Sequence, residues 1–251
     1  MKKIITCFVC LCVLLSAYSV NAHESLRYAE GLYEQQKFDS ALIVYNQLVA
    51  EGYESADLYY NIGNVYFKKM DIAHAILFYE RAYLLDPNDS DIAHNLAYAH
   101  SQQTDKIEVI GEGVFQKMYT SFYRFWSLKT WVFLSVFCFL LFLCGLLIFL
   151  FSRVVLYKKV GFFLGIFCVL FSGISYSAAA SRHSELTNKE HAIIIEPTVS
   201  IRTEPTYSSK VLVVLHGGVK FTILQERNGW YSIRLQDGKQ GWIEQEFVER
   251  I

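Results

Sequence analysis

The sequence predicts a multi-domain membrane protein with an all-α helical-repeat stack, a two-helix transmembrane hairpin and a small all-β barrel. Three observations carry this reading. Apolar residues concentrate in the runs 4–20, 130–151 and 160–181. Residues 23–103 repeat with an offset of 34 positions. From Glu190 onward, the chain becomes a series of short β-rich runs separated by turn residues. With 53% hydrophobic and 16% aromatic residues in 251, the composition is rich for a soluble chain.

The first apolar run follows Met1-Lys2-Lys3 and ends in small residues at Val20-Asn21-Ala22. A basic start, a short apolar core and a small-residue exit describe a secretory signal peptide over 1–22, with cleavage expected after Ala22. An uncleaved anchor would export the same segments. Of the six cysteines, three fall in this run, and Cys138, Cys144 and Cys168 fall in the later apolar runs. The segments expected outside the cytoplasm therefore offer neither a disulfide framework nor a thiol centre. The net charge is −1 and the basic residues are dispersed, which argues against nucleic acid as a partner.

Residues 130–151 and 160–181 each supply the roughly 20 apolar positions that a helix needs to cross a bilayer. Gly161, Gly165, Ser172, Gly173, Ser175 and Ala178 would let the second span approach the first closely. The connection at 152–159 carries Arg153, Lys158 and Lys159 and no acid. By the positive-inside rule it is expected in the cytoplasm. Both soluble segments, 23–103 and 182–251, are then expected in the periplasm, on the outer side of an inner membrane.

Within residues 56–89, Tyr59, Ile62, Gly63, Tyr66, Ala75, Tyr79, Ala82 and Pro87 resemble the tetratricopeptide consensus. The spacing has physical reasons. Gly63 and Ala75 allow two helices to cross closely, Tyr66 and Tyr79 fill the gap between them, and Pro87 ends the second helix. Phe38, Ala41 and Tyr45 lie one repeat before Ile72, Ala75 and Tyr79, so a weaker repeat precedes, and residues 90–103 supply one more first helix as a cap. An array this short buries its faces poorly on its own. The resemblance implies a concave partner-binding face on the first helices, formed by Leu26, Glu30 and Tyr33, then Tyr60, Asn64 and Phe67, then His94, Asn95 and Tyr98. Asn64 and Asn95 resemble the asparagine pair that holds a peptide carboxylate in some members. Tyr60 stands where those members keep a lysine, so ordinary polar groove residues are the expected reading.

The tail carries Val199-Ser200-Ile201-Arg202 with Pro205, Gly217-Gly218, Asn228-Gly229-Trp230 and Gly241-Trp242-Ile243. In order and spacing it resembles bacterial SH3 domains. That resemblance implies a protein or cell-wall peptide ligand. Trp230 and Trp242 are read as packing residues, with ligand contact as the alternative. No catalytic constellation, metal site or cofactor motif is read anywhere in the chain; the histidines at 74, 94 and 100 lack the spacing of a metalloprotease helix. Residues 104–129, with VFQKMYTSFYRFW, read either as an amphipathic helix along the bilayer interface, with Trp126 and Trp131 at headgroup level, or as the first turns of the first span.

Taken in order, these features resemble the E-component (BatE-like) family of the Bat (Bacteroides aerotolerance) operon. That resemblance implies neighbours such as a MoxR-type AAA+ ATPase and membrane proteins with von Willebrand A domains, and a link to oxygen tolerance and stress survival. A non-enzymatic, membrane-anchored scaffold is the expected function. The alternative is an envelope sensor or cell-wall anchor acting through the barrel.

Overall fold

The computed structural model describes residues 23–107, 111 and 113–251. The expected signal peptide over 1–22 lies outside the described residues. The chain divides into two compact units: residues up to Ile110 together with Lys189–Ile251, and Gly111–Asn188.

The first unit opens with helix α1, described over residues 23–34, followed by α2 (Phe38–Ala50), α3 (Ala56–Lys68), α4 (Ile72–Leu85) and α5 (Ser90–Ser101). The repeat is visible in the backbone itself. Gln36 and Met70, one repeat apart, both turn through left-handed conformations, at φ 60° and 62°. Ser55 and Asp89, again one repeat apart, cap α3 and α5 by accepting hydrogen bonds from the Leu58 N–H and the Asp91 and Ile92 N–H groups. Leu58, Tyr59, Ile62, Gly63 and Val65 recur at helical spacing and form the buried face of α3. Gly63 is required by contact rather than by conformation, since a Cβ there would lie 2.6 Å from the buried Tyr79 ring.

The barrel consists of β1 (His191–Ile194), β2 (Thr198–Arg202), β3 (Val211–His216), β4 (Lys220–Arg227), β5 (Trp230–Leu235), β6 (Gln240–Glu244) and β7 (Val248–Arg250), in the order β3-β2-β6-β5-β4-β1-β7. All the pairings are antiparallel. Asn228 and Gly229, both at positive φ, make the two-residue hairpin turn between β4 and β5. Val199, Ile201, Phe221, Ile233 and Ile243 fill the interior.

Stack and barrel are not separate bodies. Strand β1 has no solvent-facing side beyond His191: Ala192 and Ile194 enter the barrel core, whereas Ile193 enters the core of the helical stack. Alternation along a strand sends successive side chains to opposite faces, and here each face meets a different core. The Gly217-Gly218 turn packs directly on α4, where a Cβ on Gly217 would lie 2.9 Å from that of Ala73. The short array is therefore completed from within the chain.

The second unit contains α6 (Val114–Arg124), α7 (Leu128–Phe151) and α8 (Val155–Thr187). Helices α7 and α8 are long and apolar enough to cross a membrane, with mean hydropathies of 3.0 and 1.9 in their most apolar stretches. They pack along Gly161, Gly165, Cys168, Ser172, Ser175 and Ala178, all buried. Backbone meets backbone at the glycines: a Cβ on Gly161 would lie 2.7 Å from the Gly145 carbonyl oxygen. Ser172 Oγ donates to the Ser135 carbonyl at 2.9 Å. Gly173, expected in this seam, is exposed, with no neighbour within 4 Å of a Cβ built on it.

Helix α8 begins five residues before the predicted span and continues to Thr187, so Lys158 and Lys159 belong to its first turns and only residues 152–154 connect the helices. No proline or glycine stops it earlier, and Arg182 and Glu185 pair one turn apart within it. Of the two readings of residues 104–129, the continuous helix is excluded. The chain breaks after Arg124, and Ser127 caps α7 by accepting from the Thr130 N–H. Trp131 is buried against Ala178, Ala179 and Tyr123.

Replacing Ile193 with alanine removes the side chain that β1 inserts into the stack, at an expected cost of about 2–5 kcal/mol. Urea unfolding of the detergent-solubilised chain, followed separately by far-UV circular dichroism and tryptophan fluorescence, should show both transitions shifting together. A shift in one probe alone would mean that stack and barrel unfold independently.

Candidate partner-binding surfaces

The first helices α1, α3 and α5 place most of the predicted groove residues side by side. Asn95 Nδ2 donates to the Tyr60 hydroxyl at 2.9 Å and to Asn64 Oδ1 at 3.0 Å, and the Tyr79 hydroxyl donates to Asn64 Oδ1 at 2.7 Å. Burial, reinforced by the Tyr60 and Tyr33 phenols, raises the Tyr79 hydroxyl well above the ordinary tyrosine range, so it remains a donor. Phe67 and Tyr98 pair with ring centres 5.5 Å apart. Tyr98 is 53% exposed, and His94 is exposed beside it.

The outer end of this face differs from expectation. Leu26 is buried in the stack core and does not line the surface, and Glu30 accepts a hydrogen bond from Asn61 Nδ2 at 3.1 Å. The asparagine pair does not form a carboxylate clamp in this arrangement. Both amide hydrogens of Asn95 are directed at Tyr60 and Asn64, and the Asn64 oxygen is shared by two donors. Polar side chains that satisfy one another form a pre-organised floor suited to aromatic and neutral peptide groups rather than to an isolated anion.

The two tryptophans of the barrel differ in burial. Trp230 is buried, Trp242 is half-buried on β6, and the Tyr207 ring meets Trp230 edge-on at 5.3 Å. Tyr207 was not singled out by its sequence position. It is 69% exposed and donates its hydroxyl to Glu244 at 2.7 Å, while Arg202 Nη1 holds the surrounding loop through the Tyr207 and Ser209 carbonyls. A lone aromatic in the turn TEPTYSSK was the available signal, since rigidly held loop residues commonly serve contact.

Between stack and barrel, the α4 side carries charge. Glu80 is buried and paired with Lys220 Nζ at 2.8 Å and His100 Nε2 at 3.5 Å. Burial pushes its carboxyl up, but Lys220 and His100, with their hydrogen bonds, outweigh this and hold it down to about 2. The same pairing raises His100 against the effect of burial. Arg81 donates to Glu249 Oε1 at 2.9 Å and to the Arg250 carbonyl, and the His216 N–H donates to Asp105 Oδ2 at 2.6 Å. Among the described residues, no group of three or more His, Cys, Asp or Glu is placed to hold a metal ion.

Comparison with known families agrees with this geometry. The tetratricopeptide repeat model matches residues 56–89, and the bacterial SH3 domain model matches residues 197–249. No curated protein matches the chain. The chain thus joins two interaction modules, neither of them catalytic, to two helices able to cross a membrane.

The Glu80 carboxyl sits below its usual value of 4.5 in the folded chain, so its contribution is present above that pH and is lost as pH falls toward 2. Lys220→Met leaves the buried carboxylate without its main partner and should cost about 3–5 kcal/mol at neutral pH. The variant should also lose most of the decline in stability between pH 4.5 and 2 that the parent shows in acid titrations of unfolding. Equal acid slopes in the two proteins would show that Glu80 does not carry this dependence.

Proposed function

We propose that this chain is a non-enzymatic, membrane-anchored scaffold in which the helical stack docks a protein partner on its α1/α3/α5 face. The observation that carries this is that the barrel occupies α4 and the turn after α5, through Ile76, Glu80, Arg81 and Gln103, and leaves Tyr98, His94 and the Tyr60–Asn64–Asn95 floor accessible. The sharing of β1 between stack and barrel supports placement of both soluble segments on one side of the membrane, which an even number of spans allows. The cationic end of the hairpin, with Arg153 in the connection and Lys158 and Lys159 in the first turns of α8, favours the periplasm as that side of an inner membrane. The resemblance to the BatE-like family suggests an aerotolerance or stress-related membrane complex, with von Willebrand A-domain membrane proteins and other operon products as partners.

Cross-linking in intact cells, followed by purification and mass spectrometry, tests this with a Phe67→Ala, Tyr98→Ala variant. Loss of an aromatic anchor pair should reduce recovery of the partner by about tenfold or more. The same proteins recovered from both strains would remove the groove from the reading.

The exposed Tyr207 beside Trp230 and Glu244 favours a second reading, a cell-wall contact through the barrel. Sedimentation of the full chain in detergent with purified peptidoglycan should then be lost in Tyr207→Ala. Absence of sedimentation in the parent rules out wall binding and leaves the scaffold reading in place.

A further inference from the structure

We propose that α6 is a lipid-anchoring helix of partial depth, its stripe of Phe115, Met118, Phe122 and Phe125 covered by acyl chains of the leaflet that α7 enters. These four residues recur at helical spacing on one side of α6, with exposures of 89%, 64%, 42% and 64%. The adjoining side is clamped to α8. Tyr119 bonds Ser177 and Ser181 through its hydroxyl at 3.1 and 2.9 Å, and Arg124 Nε donates to Glu185 at 2.7 Å, the same carboxylate that Arg182 engages from within α8. The contacts ascend α8 as they ascend α6, so the two helices run in the same direction there, and α7 returns antiparallel to both.

Helix rise sets the depth. From Trp131 to Phe151, α7 advances roughly 30 Å, the thickness of the hydrocarbon layer. Trp131 packs on Ala178 and Ala179, so that level of α8 marks the boundary of the layer. Tyr119 sits at the same level through Ser177 and Ser181, and Phe115, one turn earlier in α6, lies roughly 6 Å deeper. Lipid rather than protein is assigned as the occupant because the adjoining turns of α7 and α8 expose Phe133, Ile174 and Tyr176 at that depth. The stripe adds further exposed apolar side chains at the same depth. No acidic residue interrupts α6, and Lys117 lies away from the stripe, where its stem reaches the headgroups.

The test uses the full chain in lipid nanodiscs, with its own cysteines replaced by alanine and an environment-sensitive fluorophore attached at Phe115→Cys or, separately, at Lys117→Cys. Nitroxide on the acyl chains should quench the label at 115 about threefold more than aqueous iodide does, with a smaller preference at 117. Met118→Cys gives the same reading should the label at 115 disturb the fold. Preferential quenching of the stripe by iodide would place it in water, and protection from both quenchers would mean that protein covers it; either result overturns the proposal.

Discussion

A carboxylate enclosed between two parts of one chain sets the terms for the first unit. Glu80 leaves α4 into a buried position and is held there by Lys220 from β4 and His100 from α5. Taking such a charge out of water is unfavourable unless its partners are in place, so the ion set penalises any placement of the barrel in which Lys220 misses Glu80. Lys220 is also the register partner of Ile193, the residue that β1 inserts into the stack. One rung of the sheet therefore supplies both the apolar and the ionic contact, the first giving burial and the second giving register.

This constraint explains how so short an array is stable. Helical repeats bury their faces only against neighbours, and α5 has no second helix of its own repeat to cover α4 and the stack end. The barrel takes that place through Ile193, Ile195 and Ile251. The two halves of this unit are separated in sequence by the whole of α6, α7 and α8, so the closing contact between Glu80 and Lys220 spans 140 residues. Contacts of such separation form late, after loop closure has been achieved by other means, and the packing of α7 back against α8 supplies that closure.

What was legible in the sequence was whatever has a period or a local turn chemistry. The 34-residue offset located α2 to α5, and the structure repeats it down to the left-handed turns at Gln36 and Met70 and the caps at Ser55 and Asp89. Asn228-Gly229 marked a hairpin because its backbone demands it. The joining of stack and barrel was not read, although HAIIIEP carried the signal: an apolar run without alternation belongs to a strand buried on both faces. Glu80 looked like any helix-surface carboxylate, because its partners are distant in sequence. That Tyr60, Asn64 and Asn95 share one face of neighbouring helices was legible, but their hydrogen-bond pattern was not. Which amide hydrogens of Asn95 remain available depends on where Tyr60 and Asn64 point, and no spacing rule encodes that.

The two surfaces of the first unit meet on α4. Tyr79 and Glu80 are adjacent in the chain and differ by about 100° around the helix. Tyr79 reaches Asn64 under the groove, and Glu80 reaches Lys220 and His100 under the barrel. Gly63 lets the Tyr79 ring sit against α3 without an intervening Cβ. The groove floor and the barrel therefore share one close-packed wall rather than a flexible linker. Their separation is fixed by side-chain packing on a single helix, so the two interaction modules keep a defined spacing.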